Sequence, residues 1–296
     1  MTFSSRAIAV QAAALLLGLD CLQAAAQFRR TTEAVEVPVM VVEKRQPVTG
    51  LGSDDFIVLE DDQPVRIIDV SVDSRPLDVT VLLDVSESTR LPWIDANSGL
   101  IAAAKGVRQL LRPGDTFSIH GFSERLERLD PDALSLIVPS GQTAMFDAIL
   151  QVLLQKPMSS RRIVIVLTDG LDTASSVPVE ITSTVAERSD SIVHVVALSR
   201  QSGHWYFGPL WSGTGVIRAF FAELEALSVR TGGRFFVVDK PAGFLPVLRE
   251  LFEQERTRYY LRFTPATFSP GWHTLAVSTL NRKQQVIHRR GYFRPH

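Results

Sequence analysis

Between Val35 and Glu43 the apolar residues alternate, with Val35, Val37, Val39 and Val41 on one face of an extended chain. That period predicts a strand. The turn-rich stretch KRQPVTGLGSDD follows, and FIVLEDDQPVRIIDVSVD then predicts two short strands joined by the acidic turn Glu60-Asp61-Asp62. Residues 35–75 thus read as the N-terminal strands of a small β module, closed by Arg75-Pro76.

From Leu77 the pattern changes. DVTVLLDV is an unbroken run rich in β-branched residues, as in a strand buried on both faces of a parallel sheet. PWIDANSGLIAAAKGVRQLLR has helical periodicity, with Pro92 near its start and Pro113-Gly114 at its end. DTFSIHGFS predicts a strand, TAMFDAILQVLLQK a helix, and RRIVIVLTDG a buried strand ending in an acidic turn. VEITSTVAERSD (helix) and SIVHVVALS (strand) follow, and the Gly- and aromatic-rich RQSGHWYFGPLWSGTG interrupts the alternation. The helix VIRAFFAELEALSVRTGG, the strand RFFVVD and the helix AGFLPVLRELFEQERTR complete it. Repeated β-α order with apolar strands predicts an α/β domain over residues 77–256, built on a doubly wound, mostly parallel sheet.

After Thr257 the chain reads as β again, in RYYLRFTPA, WHTLAVSTL and QQVIHRRGYF. Without helices between them these strands do not extend a parallel sheet. Either residues 257–294 pair with the N-terminal strands, so that the α/β domain is inserted into a discontinuous β module, or the two ends form separate additions. Isolated short hairpins are marginally stable, which favours the first arrangement.

The N-terminus carries a different signal. Arg6 precedes an apolar stretch from Ala7 to Leu19, and Ala24-Ala25-Ala26 fits a small-residue cleavage site. Residues 1–26 are therefore expected to be a signal peptide, and the mature chain to be exported to the periplasm or secreted. The apolar run is shorter than the roughly 20 residues of a membrane span. A buried N-terminal helix is the plainer alternative; a lipid anchor on Cys21 is another, although Asp20 suits it poorly. Cys21 is the sole cysteine, so a chain cut after Ala26 has neither a disulfide nor a thiolate site. A net charge of −1 argues against bulk binding to nucleic acid or to an anionic membrane surface.

Ligands of open α/β sheets sit beyond the carboxyl ends of the strands. There, LDVTVLLDVSESTR places Asp84, Ser86 and Ser88 just past the first strand of the domain. Two more loops reach the same edge: SGQTAMFDA with Thr143, and LTDGLDT with Asp169. Two carboxylates and three hydroxyls, without His or Cys, suit a hard divalent cation such as Mg²⁺ or Mn²⁺. Taken singly, each of these residues is also an ordinary helix cap or turn former.

The triplet Asp84-x-Ser86-x-Ser88, then Thr143, then Asp169 in a T-D-G loop resembles the metal-ion-dependent adhesion site of von Willebrand factor type A domains. The resemblance covers about residues 77–256, and the flanking β segments resemble a bacterial exported group of proteins related to that family. It implies Ser86, Ser88 and Thr143 as direct metal ligands, with Asp84 and Asp169 acting directly or through water. It also implies a protein partner that presents an Asp or Glu to the metal. This chain departs from the common pattern in having Glu87 between the serines and Thr89 after them. Glu87 either points to solvent or lies near the site and repels an acidic partner. Asp172 is either a second acceptor behind Asp169 or a turn residue.

Other chemistry is poorly represented. The six histidines show no metal-ligand pairing, Ser123 lacks the G-x-S-x-G elbow, and GTGVIRA is not a dinucleotide loop. The expected function is a metal-dependent binding or adhesion module, not an enzyme. The alternatives are a Mg²⁺-dependent hydrolase resembling haloacid-dehalogenase-type phosphatases, and a structural subunit that leaves its metal site unused. Such a phosphatase carries a second Asp two residues after the first, where this chain has Ser86. Trp205, Tyr206, Phe207 and Trp211 in the interrupting segment are either loop packing or a protein contact.

Overall fold

A computed structural model of the chain describes residues 34–90, 96–158, 161–169, 171–199 and 214–295. The expected signal peptide, Cys21, Pro92 and the aromatic cluster at 205–211 lie outside the described residues.

The α/β unit is built on six strands: β6 (Asp78–Asp84), β7 (Thr116–Phe122), β8 (Leu126–Leu129), β9 (Arg162–Thr168), β10 (Ile192–Leu198) and β11 (Phe235–Val238). Their spatial order is β11-β10-β9-β6-β7-β8. All neighbours are parallel except the edge pair β7–β8. Every residue of β6, β9 and β10 is buried, which is why their sequences run apolar without alternation.

Helices cover both faces. On one, α1 (Ala96–Leu110) and α5 (Phe244–Arg256) pack Leu100, Val107, Leu248 and Leu251 against Val79, Val81 and Ile165. On the other, α2 (Met145–Leu154), α3 (Val179–Arg188) and α4 (Thr214–Arg230) cover Leu82, Val164 and Val195. The chain steps from β6 to β7 on one side and meets β9 on the other, so the order reverses at β6. A crevice at the carboxyl ends of such strands is where ligands of this architecture bind.

The remaining strands form two antiparallel sheets. One has the order β14-β1-β12-β5, with β2 beside β1; the other has the order β15-β13-β3-β4. Here β1 is Val35–Glu43, β2 Gln46–Pro47, β3 Phe56–Glu60, β4 Gln63–Pro64 and β5 Ile67–Val72. From the C-terminal end come β12 (Tyr259–Phe263), β13 (Gly271–Thr279), β14 (Gln285–His288) and β15 (Gly291–Arg294). Val37, Val39 and Leu261 of the first sheet meet Phe56, Val58 and Val277 of the second in one core. The chain leaves this module after β5 and returns in β12, where Val72 and Tyr259 are register partners. The α/β unit is thus inserted between two adjacent strands of one sheet. No helix among the described residues is long and apolar enough to cross a membrane.

Three local features differ from the sequence reading. The second expected strand of FIVLEDDQPVRIIDVSVD is split. Asp61 and Asp62 both take positive φ (48° and 62°), which closes a tight β3–β4 hairpin, and β5 then joins the other sheet. QQVIHRRGYF likewise divides into β14, paired with β1, and β15, paired with β13. The edge strand β8, with Glu127 and Arg128 among four residues, carries too little apolar pattern to be read as a strand.

Candidate metal centre

Asp84 is the last residue of β6 and is fully buried. Its Oδ1 accepts the Ser86 backbone N–H (3.0 Å) and the Ser86 hydroxyl (2.6 Å). Its Oδ2 accepts the hydroxyl of Thr168, the last residue of β9, at 2.6 Å. The Ser86 and Ser88 hydroxyls lie 3.0 Å apart, and Ser88 Oγ donates to Asp169 Oδ1 at 3.1 Å. Oxygens from the ends of two adjacent strands therefore form one continuous run from Thr168 through Asp84, Ser86 and Ser88 to Asp169.

Backbone bonds fix the loops that carry this run. Val85 N–H donates to Phe122 O (2.9 Å), Ser140 N–H to Val85 O (2.9 Å) and Glu87 N–H to Gly141 O (3.0 Å). The Thr89 hydroxyl donates to Ser86 O at 2.9 Å and closes the turn. Thr143, also buried, is held through its backbone. Its N–H donates to Thr173 Oγ1 (3.0 Å), and its carbonyl accepts from Thr173 and Ala174.

Asp172 ties the loop after β9 to the start of α2. Its Oδ2 accepts the Phe146 N–H (3.0 Å) and its Oδ1 the Ser175 N–H (3.0 Å). Asp147 answers from the helix, accepting the N–H groups of Ser176 and Val177, both at 2.9 Å. Asp172 is thus an anchor for the loop that presents Asp169 and a cap for α2. Glu87 is exposed to solvent.

The electrostatics fit a cation. Burial and the neighbouring Asp169 charge push Asp84 up to about 7, while hydrogen bonds from Ser86 and Thr168 pull it part of the way back. Two carboxylates that share a buried site hold one another's charge in check, and a divalent cation relieves that repulsion. No group of three or more His, Cys, Asp or Glu side chains clusters among the described residues. A cation held here would rest on two carboxylates and neutral hydroxyls, a hard-oxygen set that suits Mg²⁺ or Mn²⁺.

Thr168, Thr173 and Asp147 have roles that the sequence reading did not assign. A Thr at the end of a β-branched run reads simply as a strand former, and the other two act only through contacts with distant segments.

No family model matches the chain, and no curated protein matches it in sequence. Several solved structures are similar in fold. A von Willebrand factor type A protein from Catenulispora acidiphila is 12% identical over 88% of this chain and 75% of its own, at a TM-score of 0.46. An aerotolerance-related membrane protein from Bacteroides fragilis is 14% identical over 60% of this chain and 98% of its own, at a TM-score of 0.45. The pilus adhesin SpaC of Lactobacillus rhamnosus GG is 9% identical over 86% of this chain and 42% of its own, at a TM-score of 0.49. By its own sheet order and by the D-x-S-x-S loop at the point where that order reverses, the α/β unit resembles the von Willebrand factor type A domain in fold.

Proposed function

We propose that this chain is an exported, divalent-metal-dependent protein-binding module of the adhesion type and not an enzyme. Asp84, Ser86, Ser88, Thr143 and Asp169 hold Mg²⁺ or Mn²⁺, and an Asp or Glu of a partner protein completes the coordination. The observation that carries this reading is the close run of oxygens from Thr168 to Asp169, at the sheet edge where ligands bind. Neutral hydroxyls offset little of the cation's charge, so the bound metal would keep its attraction for an external carboxylate. A net charge of −1 leaves this attraction local, with no broad field to draw nucleic acid.

Calorimetry of residues 27–296 with Mg²⁺ and Mn²⁺ tests the reading, beside Asp84→Ala and the milder Ser88→Ala. Saturable binding that both variants weaken supports it. Absence of binding by the folded wild type favours a structural subunit whose oxygens satisfy one another. Metal-dependent turnover in a phosphatase screen, lost in Asp84→Ala, would replace it with the hydrolase reading.

A further inference from the structure

The loops that hold Asp84, Ser86 and Ser88 also wall a cleft of about 330 Å³. Its apolar surface comes from Val85, Leu129, Ile137 and Val138, and Glu124 and Glu127 also line it. Val85 stands between Asp84 and Ser86, so the cleft and the candidate metal centre share a wall. The surface faces solvent, for Val138 is 71% exposed.

Two glycines shape it. A Cβ on Gly121 would stand 2.9 Å from a Leu129 methyl, so the bare backbone there lets Leu129 lie flat against the strand. Gly141 has φ +78°, and the Glu124 side chain packs beside it. The Gln142 N–H donates to Glu124 Oε1 at 3.2 Å and holds that carboxylate in place. Arg125 is the cation among the lining residues, against the two carboxylates of Glu124 and Glu127.

An aliphatic wall with carboxylates around it suits a side chain that has an apolar stem and a cationic head. We infer that the cleft receives a lysine or arginine of the same partner whose Asp or Glu meets the metal. The partner is then recognised as an acidic and a basic residue at a fixed spacing. This inference rests on the metal-dependent binding reading above.

Selection from a random displayed peptide library tests it, with the chain immobilised in Mg²⁺ and bound peptides released by EDTA. The released peptides are expected to share an acidic residue and, at one spacing, Lys or Arg. A synthetic peptide of that sequence should bind roughly three- to tenfold more tightly than its Lys→Ala or Arg→Ala version, the range for two partly exposed ion pairs. The difference should vanish on Glu124→Gln/Glu127→Gln, a double variant whose amide oxygen still accepts the Gln142 N–H. EDTA-released peptides with an acid but no enriched cation overturn the inference and leave metal-dependent binding standing. A cation preference that survives in the double variant also overturns it. If EDTA releases no peptides at all, both readings fall.

Discussion

Ser88 Oγ donates to Asp169 Oδ1 at 3.1 Å and joins two loops that lie 81 residues apart in the chain. That bond closes a run in which two carboxylates, Asp84 and Asp169, stand close enough for the charge on one to hinder ionisation of the other. The fold therefore carries a repulsion that a bound cation would remove. Asp169→Asn keeps an oxygen for Ser88 and deletes one of the two charges. The variant is expected to melt higher than wild type in EDTA, by roughly 2–4 °C for about 1 kcal/mol in a domain of this size. Added Mg²⁺ should raise the wild-type melting temperature by mass action and leave the variant unmoved. Thermal melts of both proteins in EDTA and in Mg²⁺ check this. A variant that melts lower in EDTA would show that the two carboxylates do not oppose one another.

Thr168→Val preserves the shape of the last residue of β9 and removes the hydroxyl that donates to Asp84 Oδ2 at 2.6 Å. Partners that orient a metal-binding carboxylate are worth roughly 10- to 100-fold in metal affinity. Mg²⁺ titration should find that loss. An unchanged affinity would mean that Ser86 alone orients the carboxylate.

A buried cluster beneath α5 makes stability depend on pH. His194 Nδ1 accepts the Arg234 N–H at 3.1 Å, which places the ring proton on Nε2. Nε2 lies 3.2 Å from Glu255 Oε1, off the line of a straight hydrogen bond. Arg258, also fully buried, donates its Nε–H to Glu255 Oε2 at 3.0 Å. Burial holds His194 below its ordinary value, despite Glu255. Burial would raise Glu255, but the Arg258 charge and the His194 contact outweigh it and hold the carboxyl far below the ordinary range. Both groups bind protons more readily in the unfolded chain, so both give stability that falls with pH. His194 acts first, as pH drops below its unfolded value near 6.5, and Glu255 follows below about 4.5. His120 and His288, also lowered by burial, add to the first step. His273, raised by the Ser269 carbonyl and by Asp61, and Asp84, pushed up to about 7 by burial and by Asp169, oppose it. Denaturant unfolding at pH 7.5, 6.5 and 5.5, run beside His194→Gln, isolates the histidine: wild type should lose stability relative to the variant as pH falls, by up to about 1.4 kcal/mol per pH unit.

The layers of the fold were legible because burial dictates composition. A strand covered on both faces, such as β9, must read as RIVIVLT, and a half-exposed one such as β13, buried at every second residue, must alternate. Asp84, Ser86 and Asp169 were legible as oxygens at the tips of apolar runs, where buried hydroxyls and carboxylates need a purpose. Pairing choices were not. Nothing local tells the ends of QQVIHRRGYF to join different sheets, since that depends on which strand edges β1 and β13 leave open. Asp147 and Asp172 look like ordinary helix and turn residues, and their reciprocal bonds exist only once the loop after β9 folds over α2.

Two glycines separate the cost of crowding from the cost of backbone strain. Gly233 precedes β11, and a Cβ there would stand 1.9 Å from the Val193 carbonyl oxygen, a backbone atom of β10 that has little room to retreat. Gly50 has φ +82° with nothing within 4 Å of a would-be Cβ. Gly50→Ala therefore meets only the left-handed backbone penalty, about 1–2 kcal/mol. Gly233→Ala must push β11 away from β10, and belongs with the severe steric substitutions that cost more than about 4 kcal/mol. Chemical denaturation of the two variants beside wild type measures both values. Equal losses would mean that the β10–β11 edge yields freely, and that the close approach at Gly233 does not hold this end of the sheet in place.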